Sequence, residues 1–193
     1  MYSSISKTLI LLVLVIGAFS CKKKSTTTPP STTSENIVVD IPYTKSKTLT
    51  DAIPALPFSV PVNITDTFAT LVDRYIAPYG FTKNDIISVT PVMMNVVIDN
   101  NTSQTLNFAD DSVKVYVDAY GGSNPLLVAH KKGIPLNAKS VDMDIENKDF
   151  KDYFNNEYMQ VTLNFNTRVN EAMAANTTFI TNFKFRITAK KPQ

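Results

Sequence analysis

Four stretches of the chain alternate apolar and polar residues with a period of two, and this restricts the fold more than any other feature. Along residues 58–65, Phe58, Val60, Val62 and Ile64 share one side. Val113, Val115, Val117 and Ala119 oppose Ser112, Lys114, Tyr116, Asp118 and Tyr120. Met159, Val161, Leu163 and Phe165 oppose Gln160, Thr162, Asn164 and Asn166. Phe179, Thr181, Phe183, Phe185 and Ile187 oppose Ile180, Asn182, Lys184, Arg186 and Thr188. Side chains of a strand point alternately to its two faces. One apolar and one polar face is the mark of antiparallel sheets, since parallel sheets are covered on both sides. Residues 86–98 are more uniformly apolar, with Val92, Met94, Val96 and Ile98 on one face and Met93 and Val97 behind. They read as a long central strand covered on both sides, with Pro91 at a bulge or edge.

Breakers separate these runs. Asp99 to Thr102 and Gly121 to Pro125 are turn sequences, and the second predicts a hairpin from 112–120 into 126–131. A helix is predicted near 66–79: Phe68, Leu71, Val72, Tyr75, Ile76 and Tyr79 form a stripe at helical spacing. Thr65 or Asp66 would cap it, and Pro78 and Gly80 would stop it. A short helix is predicted near 148–155, with Phe150, Tyr153 and Phe154 inward. The expected fold is mostly β, a two-layer antiparallel β-sandwich, immunoglobulin-like in the broad sense, carrying these two helices.

The amino terminus has a different character. Residues 1–20 (MYSSISKTLILLVLVIGAFS) carry one lysine, an unbroken apolar run and small residues at the end, the layout of an export signal. The apolar stretch from 8 to 20 falls short of the ~20 residues that a membrane span needs. Cys21 follows directly and is the only cysteine of the chain, which excludes an internal disulfide and any multi-cysteine metal site. At this position a cysteine is expected to take acyl chains after export, and the chains would anchor the protein in a membrane. The alternative is an ordinary signal cleaved after Ala18-Phe19-Ser20, leaving a free thiol. Residues 21–35 hold Lys22, Lys23, Lys24 and a Ser/Thr/Pro run with no apolar side chain beyond Cys21, so they are expected to form a disordered tether. Fully extended, residues 22–35 reach roughly 45–50 Å. The three lysines can touch anionic headgroups or simply be solvated. The folded domain is therefore assigned to 36–193.

Charge belongs mostly to the leader. The whole chain is formally +2, but from Asn36 on there are 15 basic and 16 acidic residues. That argues against a nucleic-acid partner bound through broad phosphate neutralisation.

Candidate chemistry is sparse. His130 is the only histidine, on a predicted strand, and no GxSxG elbow supplies a nucleophile for it. Asp142, Asp144 and Glu146 alternate with Val141, Met143 and Ile145 and line one strand face. They read as a solvated face that discourages edge pairing, with oxygen ligation of calcium as the alternative. Asp110-Asp111 read as a turn before a strand. Tyr116, Asp118 and Tyr120 share a strand face and are the tentative ligand face, an aromatic and carboxylate surface that could hold a sugar ring. The alternative is two tyrosines on a partly covered face. No catalytic, metal or cofactor site is assigned.

Cys21-Lys22-Lys23-Lys24, the Ser/Thr/Pro run and FADDSVKVYVDAYGGSNPLLVAHKKGIP, followed by FKDYF, VTLNF and FKFRI, resemble the small β-sandwich envelope lipoproteins of Bacteroidota. The resemblance spans most of 85–190. It implies a cell-envelope lipoprotein with a fatty-acyl (palmitate-type) anchor on Cys21 and no enzymatic activity. Its partner would be the membrane, with another envelope protein as a possible second. The lipoboxes of that phylum are loose, which accommodates Ala18 and Phe19. The three lysines after the cysteine imply an outer-membrane position facing the periplasm rather than surface display. Asp111-Ser112-Val113 fits that phylum's O-glycosylation pattern, at Ser112. The alternative function is a glycan- or small-ligand-binding module of the envelope.

Overall fold

The computed structural model describes residues 36–99 and 103–191, apart from the side chain of Asp111. The expected export signal, Cys21, the expected tether and residues 100–102 of the predicted turn lie outside the described residues. Among the described residues there are nine strands: β1 (Asn36–Leu49), β2 (Pro61–Ala69), β3 (Ile86–Ile98), β4 (Ala109–Ala119), β5 (Leu126–Lys132), β6 (Ser140–Asp142), β7 (Asp144–Ile145), β8 (Tyr158–Thr167) and β9 (Thr177–Lys190). Two short helices, α1 (Val72–Ile76) and α2 (Lys151–Phe154), join them. The strands make two sheets, ordered β1-β9-β3-β6 and β2-β8-β4-β5-β7. Every pairing is antiparallel. The molecule is an immunoglobulin-like β-sandwich in the broad sense, as the alternation predicts.

Alternation decides which faces meet. Phe179, Thr181, Phe183, Phe185 and Ile187 of β9 are buried, as are Met159, Val161, Leu163 and Phe165 of β8 and Val113, Val115 and Val117 of β4. β9 lies between β1 and β3, so its aromatic row supplies the middle of one inner face. Tyr43 stacks on Phe183 at 5.1 Å and meets Phe68 of the opposite sheet edge-on at 5.0 Å. Phe185 packs on Phe154 at 4.7 Å and Phe150 at 5.7 Å, which seats α2 against the core. A second ring cluster joins Phe108, Phe165 and Phe179 towards the other end. The Tyr43 hydroxyl donates to the Thr70 carbonyl, and burial raises its pKa well above the ordinary tyrosine range.

The predicted helix near 66–79 is mostly not a helix. Residues 61–69 are strand, α1 covers only Val72–Ile76, and one 3₁₀ turn follows at Ala77–Tyr79. Phe68 satisfies both periods: it continues the helical stripe, but it also continues Val62 and Ile64 at even spacing. The strand period prevails because β2 completes its ladder on β8 and brings Phe68 between Tyr43 and Phe183. β-branched Thr65 and Thr67 favour the strand locally. Leu71 takes a left-handed conformation, φ 54°, and is exposed, so it leaves the stripe. Tyr79 is exposed as well.

Three further expectations change. Phe58 is outside any strand and 58% exposed, because the ladder starts at Pro61, whose missing N–H suits a first strand residue. β3 is buried on one face only. A bulge between Pro91 and Met93 takes Val92 out of register, so Pro91, Met94, Val96 and Ile98 are the inward residues. The acidic run 141–146 does not form one strand face: it changes sheets at Met143. β6 pairs with β3, β7 pairs with β5, and Met143 N–H donates to Met94 O at 2.9 Å between them. That crossing closes one side of the sandwich. On the other side, Lys45 Nζ of β1 reaches Asp66 Oδ2 of β2 at 3.9 Å.

The register also gives the sandwich two distinct ends. At one, Asn36 opens β1 opposite Lys190, and the 70–85 segment, α2 and the β4–β5 turn gather. At the other, Leu49 ends β1 opposite Thr177, and the loops 50–60, 133–139 and 168–176 gather.

Two outcomes follow from this packing. Phe185→Ala should lower unfolding free energy in denaturant titration by about 3–5 kcal/mol, as for other buried phenylalanines, whereas exposed Val38→Thr should change it by less than about 0.5 kcal/mol. The Asp40–Arg186 pair across β1 and β9 is bidentate, at 2.8 and 3.1 Å, and its hydrogen bonds hold the Asp40 carboxyl below the usual carboxylate range. Its contribution is present above the unfolded carboxylate pKa and disappears as pH falls through the lower folded value. Asp40→Asn should therefore be less stable than wild type at neutral pH, and the gap should close in acid melts below about pH 4.

Candidate functional site

The most ligand-like feature lies at the Leu49 end. The 50–60 segment is rich in proline and apolar residues, so it cannot continue the ladder and instead folds back over the sandwich. It is held there by backbone pairing with the 168–173 loop. Ile53 and Met173 exchange both hydrogen bonds, at 3.0 and 2.9 Å, and Asn170 N–H donates to Leu56 O at 2.8 Å. Val60 and Thr167 are joined twice, once through the threonine hydroxyl. Asn170 makes the turn with φ 61°.

Under this strap is a cleft of about 420 Å³, with Leu49, Ile53, Leu56, Val60 and Met173 in its lining and Thr50 and Asp51 among its polar groups. That volume and balance suit a small apolar ligand or an inserted side chain from a protein. Because the strap is hydrogen-bonded at Ile53, Leu56 and Val60, the cleft is formed before anything enters it. Asp51 is the only titratable group in its lining. The lining offers apolar contact with a few polar groups, a surface suited to binding. Phe58 projects from the same segment. Sequence reasoning placed residues 58–65 in a strand and so missed this site. The available signal was the density of proline and large apolar residues in 53–61, which is unusual for a surface connection.

The tentative ligand face is divided among three places. Tyr116 is half-buried on the outer face of its sheet, opposite Thr162, and lines a shallow hollow of about 280 Å³ with Asn63, Pro125, Thr162 and Asn164. The polar groups there bond to one another: Asn164 Nδ2 donates to Asn63 Oδ1 at 2.7 Å, and the Thr65 and Thr162 hydroxyls are 2.9 Å apart. Asp118 is buried and accepts Ala119 N–H at 2.7 Å. Its carboxylate leans over the hairpin turn so closely that a Cβ at Gly122 would sit 2.5 Å from Oδ1. Burial, then the Asp118 charge, raises the Tyr153 phenol above its ordinary pKa. Tyr120 lies past the strand end, 66% exposed, its ring 6.3 Å from that of Tyr158.

His130, Asp144 and Glu146 come together at the β5–β7 edge, with Lys131 and Lys148 beside them. His130 Nδ1 is 3.0 Å from Glu146 Oε1 but off the line of a hydrogen bond. Lys148 approaches the other Glu146 oxygen at 3.8 Å, and Lys131 meets Asp144 at 3.0 Å. Asp142 is across the sheet change, accepting from Asn95 Nδ2 at 2.8 Å. Among the described residues no hydroxyl is hydrogen-bonded to His130, and no group of three or more His, Cys, Asp or Glu is placed to hold a metal ion. Cys21 lies outside the described residues. Among those residues no helix is long and apolar enough to cross a membrane.

No family model and no curated protein matches the chain. Among solved structures it is similar to a chain described as Desmodium yellow mottle tymovirus, at 10% identity and a TM-score of 0.29, over 89% of this chain and 98% of that one. A TM-score that low carries no argument about function.

Because Asp142, Asp144 and Glu146 already face Asn95, Lys131, His130 and Lys148, millimolar calcium should leave the melting temperature unchanged. A rise in differential scanning fluorimetry that chelator reverses would restore the ligation reading.

Proposed function

We propose that the chain is a lipid-anchored protein of a bacterial cell envelope whose β-sandwich binds a partner and catalyses nothing. The observation that carries the binding role is the pre-formed apolar cleft at the Leu49 end, opposite the end where the chain enters the sandwich at Asn36. The chain leading from Cys21 joins the domain at Asn36, the end opposite the cleft and Phe58. Lys22 to Lys24 favour an outer-membrane position facing the periplasm. The partner is another envelope protein offering an apolar side chain or short apolar segment. A small apolar ligand is the second reading, favoured by the apolar side chains of the lining. The glycan-binding alternative at Tyr116, Asp118 and Tyr120 is weakened by the inward use of Asp118 and by the mutual pairing of the polar groups near Tyr116.

Cells fed an alkyne fatty acid should label the protein, and Cys21→Ala should abolish the label; an unlabelled wild type would remove the anchor. A photo-crosslinking residue at Phe58 should give a discrete adduct in the native envelope, which one at Lys114 on the open sheet face should not. Equal adducts at both positions, or none at Phe58, would count against the cleft as the binding end.

A further inference from the structure

We propose that the Asn36 end of the sandwich is a docking surface for anionic phospholipid headgroups, centred on a lysine-lined recess. The choice of a membrane as occupant rests on the anchoring reading above. The recess consists of two adjoining hollows of about 410 and 480 Å³ that share Asn84 and Lys151. Lys190 and Lys191, at the end of β9, line the first, and Lys83 lines the second. Segments far apart in the chain thus bring four lysines to these two hollows.

Nearby acids offset two of these lysines, Lys83 and Lys191. Asp85 is the only carboxylate in the lining; it accepts Thr82 N–H at 2.8 Å and the Thr82 hydroxyl at 3.0 Å, and lies 3.9 Å from Lys191 Nζ. Asp73 pairs with Lys83 at 3.6 Å. Asp149 accepts the backbone N–H groups of Val89 and Lys151. Asp152 is exposed beside Lys151. Among the described residues, the ammonium groups of Lys151 and Lys190 meet no carboxylate within 4 Å.

Apolar side chains stand beside these charges. Ile87 lines the first hollow and is 51% exposed, and Tyr79 is 62% exposed. Tyr79 precedes Gly80, whose carbonyl accepts the Lys191 ammonium. Lysines with an exposed tyrosine and an aliphatic side chain match the headgroup region of a bilayer, where positive groups meet lipid phosphates and amphipathic rings settle at the interface.

Chain connectivity selects the membrane over an acidic protein. Asn36 pairs with Lys190, so the segment leading back to Cys21 leaves the domain beside the recess. Residues 22–35 limit its distance from an acylated Cys21 to roughly 45–50 Å. This tethering gives the lysine end a high effective concentration at the bilayer surface, so even weak headgroup contacts would hold it there.

The test uses the processed form, residues 21–193, with Cys21→Ser and Lys22, Lys23 and Lys24→Gln, so that neither an acyl chain nor the leader lysines contribute. It should sediment with phosphatidylethanolamine vesicles containing phosphatidylglycerol and not with vesicles lacking it. Lys151→Gln with Lys190→Gln should weaken that binding about tenfold while leaving the melting temperature unchanged. The chain has no tryptophan, so Tyr79→Trp gives a clean reporter: its emission should shift blue on anionic vesicles, and that of Phe58→Trp at the opposite end should not. Absence of an anionic preference, full binding after loss of the two lysines, or an equal shift at both tryptophans would overturn the proposal. Fatty-acid labelling of Cys21 reads the anchor separately. A labelled protein without vesicle preference would overturn the docking surface alone. An unlabelled one with the preference would support the surface and overturn the anchor.

Discussion

The ring cluster around Tyr43 is the contact on which the rest of the sandwich depends. Tyr43 touches Phe183 within its own sheet and Phe68 in the other, and Phe185 extends the cluster to Phe150 and Phe154. Buried aromatic rings contribute large areas and add edge-to-face attraction. The cluster also imposes a polar requirement. A phenol removed from water must find an acceptor, and the Tyr43 hydroxyl finds the carbonyl of Thr70. That bond lies just after β2 ends, and Thr70 N–H and its hydroxyl are in turn bonded to the backbone at Asn156 and Glu157. Tyr43 and the 156–157 backbone thus meet at Thr70, where β2 has ended and the chain turns toward α1.

The two sides of the sandwich are closed by different means, and this shapes where binding can occur. On one side the backbone itself crosses from β6 to β7, using Met143 as a buried step between sheets. On the other the Lys45–Asp66 pair spans two edge strands. Charged groups at both sides discourage pairing with a second molecule's strands. What remains open are the two ends, and their chemistry differs. The Asn36 end is rich in lysine, and the Leu49 end carries the apolar cleft beneath its strap. Loops held on a rigid β scaffold are where such domains place recognition.

Much of the fold was legible before the structure. The alternation in 159–166 and 179–188 identified the inward faces of β8 and β9 residue by residue, because burial of one sheet face leaves a direct imprint on sequence. Pro91 announced the bulge of β3, and the glycine pair announced the β4–β5 hairpin. Residues 66–71 were misread because Phe68 fits both a helical and a strand period, and a local pattern contains no record of the β8 ladder beside it. The candidate site was less legible. Tyr116, Asp118 and Tyr120 share a face by parity, but parity does not reveal that Asp118 bends over Gly122 or that Tyr120 lies beyond the strand. The cleft depends on Ile53 meeting Met173, a contact between residues 120 positions apart.

The sequence alone determined the class of this protein: a two-layer antiparallel β domain behind an amino-terminal segment with the layout of an export signal. Period and composition act locally, so they can be read locally. Tertiary structure alone decided the polarity of the domain. It set Lys190 against Asn36, gathered Lys83 and Lys151 beside them, and drew the 50–60 strap over the far end. Those placements follow from strand register and from loop-to-loop hydrogen bonds, which join residues that share no local pattern.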